Sequence, residues 1–247
     1  MPSFITNLLQ ILFNLFKNSK IGFGAVDIAS YEDTDPAELT TAVTKASGKE
    51  KLPEASGEYT GRHPLAKKYR NLDFLQGSRA FGSHRANTTR IHAGCDLYAP
   101  AGSKVYAIDD GVVLHYYDYY AQTWALVVQH GDKVVLYGEV QPPKDAYKGT
   151  DVPDPSVTKG LPNGVRVGAK VYKDQHIAYV GQLRFMSTKT NRRFAYKHQM
   201  LHFEMYKGTE KGFLTQTKNK TFDFVPPGNY QRRRDLIDPS EFLKQVV

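Results

Sequence analysis

The chain has a single cysteine in 247 residues, Cys95, so no disulfide can form within it and noncovalent packing must hold the fold. It also lacks a long apolar run. Its greasiest stretch, residues 4–16, is short and interrupted by Asn7, Gln10 and Asn14, so no transmembrane segment is expected. That stretch has no positive charge before it, since the first lysine is Lys17, and no small-residue cleavage site after it; no signal peptide is expected. Nothing repeats at a fixed period. There is no zinc-finger spacing, no aromatic RNA-binding signature and no phosphate-cradling glycine loop, so nucleic acid is not expected as a partner.

What is present suits a folded, strand-rich protein. Apolar content is 40%, and the 16 tyrosines favour strands and polar-rimmed clefts over helix bundles. The net charge of +8 is lopsided: residues 1–60 carry −3 and the remainder +11. A basic C-terminal part fits an acidic polymer such as cell wall, or simply a well-solvated basic surface.

In order along the chain, Ile5, Leu8, Leu12 and Leu15 share one helical face, which predicts an amphipathic helix over 4–16. With few basic residues on its polar face, it suits self-packing or docking on a protein partner better than a membrane. Asp33, Asp35, Pro36 and Glu38 suit the first turn of a short helix through Val43. Residues 45–61 read as linker, placing a boundary near residue 60: an extension over 1–60 and a domain over 61–247. Strand-like runs follow at Gly111–Tyr120, Trp124–His130, Lys133–Val140 and His176–Val180, with a hairpin turn at His130-Gly131-Asp132-Lys133. The fold class expected is mainly β, a compact antiparallel sheet. Residues 141–163 read as a long loop over one rim, and a short helix is expected near Pro239.

Two places bear metal-ligand chemistry. His92 and Asp96 have three residues between them in Arg90-Ile91-His92-Ala93-Gly94-Cys95-Asp96, and His202 lies in Met200-Leu201-His202-Phe203-Glu204. Two imidazoles and a carboxylate, with one position left for water, are what a hydrolytic zinc centre requires. Cys95 invites a thiolate-ligand reading, but on a strand it points away from its neighbour's face and reads as a small buried hydrophobe.

These segments, in this order, resemble the lysostaphin-type (LytM-type) zinc peptidases, which cut peptide cross-links in bacterial peptidoglycan. His92-Ala93-Gly94-Cys95-Asp96 resembles the family's HxxxD segment and Leu201-His202-Phe203-Glu204 the end of its HxH segment. Ala99–Ala107, Asp110–Val113, Val167–Val171 and His176–Gly181 resemble the β segments between them. The resemblance covers roughly the last two-thirds of the chain. It implies a compact antiparallel core with a narrow groove, Zn2+ as cofactor, and His92, Asp96 and His202 as ligands.

The sequence departs from that pattern twice. Where the family has Tyr-x-His, this chain has Tyr137-Gly138-Glu139; where HxH begins with histidine, it has Met200. Both family histidines assist proton transfer and oxyanion stabilisation, and a thioether does neither. Glu139 is a chemically adequate general base, as in zinc proteases that use glutamate. With these segments the chain resembles members of this group attached to phage tails or contractile injection machines.

The expected catalytic residues are therefore Glu139 and His198, the latter on the Met200 and His202 face if the strand extends back to it; His84 is a further histidine considered. Glu204 is expected to orient a ligand histidine. Tyr116, Tyr117, Tyr119, Tyr120 and Trp124 read either as a substrate wall or as hairpin packing. The run Arg232-Arg233-Arg234 reads as a solvated basic corner or an anion site. The expected function is zinc-dependent hydrolysis of peptidoglycan peptides; the alternative is a catalytically degenerate module that binds wall or plugs an assembly. Without a signal peptide, delivery from the cytoplasm to periplasm or wall by a virion or injection machine is expected, with residues 4–16 as the docking element.

Overall fold

A computed structural model describes residues 61–85, 90–147, 160–215 and 230–247. The helices expected over 4–16 and up to Val43, and the linker up to residue 60, lie outside the described residues. So does most of the loop expected over 141–163.

The described chain is mainly β and antiparallel. Its strands are β1 (Cys95–Tyr98), β2 (Lys104–Tyr106), β3 (Gly111–Asp118), β4 (Trp124–His130), β5 (Lys133–Val140), β6 (Lys170–Val171), β7 (His176–Tyr179), β8 (Arg184–Met186), β9 (Arg193–Ala195), β10 (Met200–Tyr206) and β11 (Leu236–Ile237). Seven of them form one sheet in the order β1-β10-β5-β4-β3-β6, with β11 also on β10. Strands β2 and β7 form one separate pair, β8 and β9 another. The expected turn joins β4 to β5, with Gly131 at φ 57, a conformation that favours glycine. Helix α1 (Ser240–Val246) follows Pro239 and buries Phe242, Leu243 and Val246. The β8–β9 hairpin and three short 3-10 turns at Lys67–Tyr69, Asp73–Leu75 and Gly77–Arg79 were not expected from the sequence. Among the described residues no helix is long and apolar enough to cross a membrane.

Side-chain alternation divides β10 into two roles. Leu201, Phe203 and Met205 enter the main core with Cys95 and Leu97 of β1, Tyr137 of β5 and Trp124 of β4. Met200, His202, Glu204 and Tyr206 occupy the opposite face, which is also buried. Register sets Asp96 across from His202, Tyr98 across from Met200 and Gly138 across from His202 on the other side. One face of the sheet is thus apolar core, while the other carries polar side chains beside a smaller apolar cluster that includes Leu136 and Tyr206.

Cys95 lies on the core face, with its Sγ 3.7 Å from Ser240 Oγ, and burial pushes its thiol up to about 12. It packs as a hydrophobe. Just before β1, a Cβ on Gly94 would stand 2.4 Å from the Phe203 carbonyl oxygen and 3.0 Å from His202 Cε1. Because the nearer atom is backbone of a central strand, Gly94→Ala is expected to cost about 1–3 kcal/mol, read as a lower urea midpoint at unchanged slope.

Candidate metal centre

Two strands and one clamped loop bring the ligand set together. Asp96 and His202 are cross-strand partners on β1 and β10. His92 precedes β1, and its backbone is held on both sides: its N–H donates to Ser83 O and its carbonyl accepts from Gly82 N, each at 2.9 Å. His92 Nε2, His202 Nδ1 and Asp96 Oδ1 form a triangle with edges of 3.1, 2.9 and 3.1 Å, and all three residues are buried. Donors about 2.0 Å from a tetrahedral zinc stand roughly 3.3 Å apart, so this triangle fits one face of such a site.

The remaining ring nitrogens support the fit. His92 Nδ1 donates to the Ala80 carbonyl at 2.9 Å, which leaves Nε2 with a lone pair facing inward. His202 Nε2 donates to Glu204 Oε1 at 2.7 Å, which leaves Nδ1 facing the same point. Each carboxylate is in turn tied to an arginine. Arg85 donates to Asp96 Oδ2 at 3.2 Å. Arg232 Nε contacts both oxygens of Glu204, at 2.8 and 3.1 Å, and its Nη2 donates to Tyr119 Oη at 3.0 Å. The Tyr206 hydroxyl donates to Glu204 Oε2.

The charges follow from these contacts. Burial alone would raise Asp96, but hydrogen bonds from His202 and His92 hold it well below the usual carboxylate range. Burial would likewise raise Glu204, yet the Arg232 charge and the His202 bond bring it to about 2. Burial lowers His92. His202 would also be lowered by burial, but its bonds to Asp96 and Glu204 push it up to about 9. The metal-free cluster at neutral pH is therefore an imidazolium between two carboxylates.

Glu139 reaches this site through a backbone irregularity. The β4–β5 register shifts between Trp124, paired with Val140, and Leu126, paired with Tyr137. One extra residue is accommodated on β5, a bulge of the kind that re-aims a side chain. Glu139 has φ 60 there, and its carbonyl accepts from Gly181 N at 2.8 Å. Tyr137 and Val140 both enter the main core, while Glu139 lines the same cleft as the three ligands. Its Oε2 is buried without a hydrogen-bond partner among the described residues. Burial first, then the Asp96 charge, pushes its carboxyl up to about 8.

The cleft has a volume of about 650 Å³. Among the residues that line it are Tyr119, Tyr120, Phe185, Tyr196, Arg85, Arg90 and Met200. The aromatic cluster thus divides: Tyr116 and Trp124 pack together in the core at 4.7 Å, while Tyr119 and Tyr120 face the cleft. His198 stands outside the cleft lining. Strand β10 begins at Met200, so the alternation invoked for His198 does not reach it; it is exposed and stacks on Tyr98 at 5.7 Å. His84 is exposed too, whereas its neighbour Arg85 turns inward.

The expectation of a solvated corner at 232–234 is corrected. Arg232 and Arg233 are buried, the first on Glu204 and the second bidentate on Asp235 at 2.7 and 2.9 Å; only Arg234 is exposed. Sequence reading missed Arg85 as a partner of Asp96, and it read Arg232 as solvated or anion-binding and Tyr119 only as a possible wall, not as partners within this site. The one available signal was Arg85, on the strand-alternate side from the histidine that drew attention.

By fold and site, this is an antiparallel β protein with a buried His–Asp–His ligand cluster at the floor of a cleft. No family model and no curated protein matches the chain by sequence. Its neighbours among solved structures include peptidases, lysostaphin from Staphylococcus simulans among them. A zinc-containing peptidase from Vibrio cholerae matches at a TM-score of 0.43, with 19% identity over 74% of this chain and 40% of that one. LytU matches at 0.40, with 22% identity over 70% and 90% of the two chains. The catalytic domain of the antimicrobial peptidase lysostaphin from Staphylococcus simulans matches at 0.38, with 18% identity over 66% and 88%. The chain spans less than half the length of the Vibrio protein, and 32% of Helicobacter pylori Csd3.

Two outcomes are expected. Arg232→Met leaves the Glu204 charge buried without its cation, and should cost about 3–5 kcal/mol in denaturant unfolding and weaken binding of an added divalent metal by roughly 10–100-fold. Because His202 titrates near 9, ligation at pH 7 must expel its proton. Calorimetry in buffers of different ionisation enthalpy should show proton release, with affinity rising with pH until about 9. The His202 contribution to metal-free stability runs the other way: present below its ordinary 6.5, it is lost as pH rises through about 9.

Proposed function

We propose that this protein is a zinc-dependent peptidase that hydrolyses peptide bonds of bacterial peptidoglycan. The observation that carries the reading is the convergence of His92 Nε2, Asp96 Oδ1 and His202 Nδ1 at the floor of a cleft that Glu139 also lines. The wall substrate is inferred from the ordered resemblance of the sequence segments and from the basic balance of residues 61–247. His92, Asp96 and His202 would hold the zinc, which when bound supplies a Lewis acid for the scissile carbonyl and lowers the pKa of water. In its carboxylate form, which a bound cation would favour against the protonated form that burial favours, Glu139 accepts the proton of the attacking water and delivers it to the leaving amine. Its bulged backbone sets the carboxylate against the cleft, and its buried position keeps competing solvent away. Arg85, paired with Asp96, and Arg90 also line this cleft and put positive charge in it that would favour a developing oxyanion, whereas His198 and His84 do not line it.

Met200 favours a second reading, a peptidase fold that keeps its ligands but has lost turnover and binds wall or plugs an assembly. A thioether lines the cleft where the resembled family has a histidine. Delivery by a virion or injection machine through residues 4–16 remains part of the proposal and rests on sequence alone.

Zymography on purified peptidoglycan, with metal analysis of the same samples, separates the two. Wild type should clear the substrate, and Glu139→Gln should lower the rate at least ~100-fold with zinc retained. His202→Ala should lose both zinc and activity. Stoichiometric zinc in a wild type that cleaves nothing would establish the module instead.

A further inference from the structure

The β8–β9 hairpin is two-faced, and each face borders a different cavity. Register pairs Phe185 with Phe194 and Arg184 with Ala195, and Met186 with Arg193. Period-two alternation therefore sets the aromatic pair on one face and Arg184 with Arg193 diagonally on the other. The metal cleft takes Leu183, Phe185 and Tyr196 from this region, while a second cavity of about 750 Å³ takes Gln182, Arg184 and Arg193. The β3–β4 turn is shared in the same way, Tyr120 lining the metal cleft and Gln122 the second cavity. So is the end of β5, through Glu139 and Gln141. The two cavities thus share three walls.

The second cavity has a consistent chemistry. Lys144, Arg184 and Arg193 line it, together with the carboxamides of Gln122, Gln141 and Gln182, and no Asp or Glu is among the described lining residues. Arginine forks match carboxylates, and carboxamides match peptide N–H and C=O groups. One wall is built at a conformational cost. Ala121 and Gln122 have φ 46 and 61, a pair of left-handed positions normally given to Asn and Gly. The turn is nonetheless tied down, Thr123 N donating to Tyr120 O at 2.8 Å and Arg184 N to Ala121 O at 2.9 Å. Glycine at 122 would relieve that strain but remove a carboxamide from the cavity.

We propose that this second cavity binds a carboxylate-bearing peptide arm of the substrate whose scissile bond lies in the metal cleft. The identity of the arm rests on the peptidase reading; the preference for a carboxylate beside amides rests on the cavity itself. The hairpin then acts as a divider, its aromatic face against the chain to be cut and its basic face against the neighbouring arm.

The test is calorimetric binding to the full-length chain after chelation, which needs neither metal nor turnover, so failure of hydrolysis and failure of this site read out separately. The probes are a synthetic wall-stem tetrapeptide with a free C-terminal carboxylate, the same peptide amidated, and inorganic phosphate. Saturable binding of the free acid is expected, weakened roughly ten-fold or more by amidation and by the double change Arg184→Gln with Arg193→Gln, as loss of a charged hydrogen bond predicts. Lys144→Gln should weaken it independently, and circular dichroism should show all variants folded. Equal binding of acid and amide, or affinity unchanged in both sets of variants, overturns the proposal. Phosphate that displaces the peptide at equal affinity overturns the peptide assignment, making the cavity a general anion site.

Discussion

The antiparallel register that sets Asp96 opposite His202 is the constraint on which the rest of the site depends. Two side chains 106 residues apart meet at 2.9 Å because β1 and β10 are neighbours in this frame. A slip of β1 by one residue along β10 would turn Asp96 into the core and Cys95 into the cleft. The frame is fixed by apolar residues on the other face: Cys95 and Leu97 on β1, with Leu201, Phe203 and Met205 on β10, can be buried only in this register. The hydrophobic face therefore specifies the polar one.

Burying so much charge requires that each group be paired in depth. Asp96 is held by Arg85 as well as by the two histidines, and Glu204 by Arg232, Tyr206 and His202. Arg232 comes from a segment well separated in sequence from β10, so part of the support for one ligand is supplied by the C-terminal region. A carboxylate behind a ligand imidazole fixes its tautomer, and an arginine behind that carboxylate keeps it ionised. Glu139 differs in kind. One of its oxygens has no partner among the described residues and burial raises its pKa, so its burial costs stability that no contact shown there offsets.

Much of this was legible from the residues. Alternating apolar runs separated by turn residues predicted β3, β4, β5 and β7 nearly to their ends, because strand periodicity and Gly-Asp turn chemistry are local properties. The spacing of His92 and Asp96 and the isolated His202 pointed to ligands, and the structure brings these three together. The β8–β9 hairpin was not legible: Arg184-Phe185-Met186 and Arg193-Phe194-Ala195 are short, half-exposed strands with weak patterns. Arg232 was hidden for another reason. A run of three arginines reads as solvated charge unless its carboxylate partners are known, and Glu204 and Asp235 become partners only in space.

The sequence by itself determined which strands have an apolar face, where the hairpin turns, that Cys95 packs as a hydrophobe, and which imidazoles and carboxylate are available to a metal. Tertiary structure decided where Glu139 points. Strict alternation sends Tyr137 and Glu139 to the same side, into the core; the bulge beside Gly138 breaks that alternation and delivers the carboxylate to the cleft. It also decided that His198, one residue pair beyond the start of β10, stays on the rim. Both outcomes turn on how the backbone pairs from strand to strand, which a local pattern of side chains does not encode.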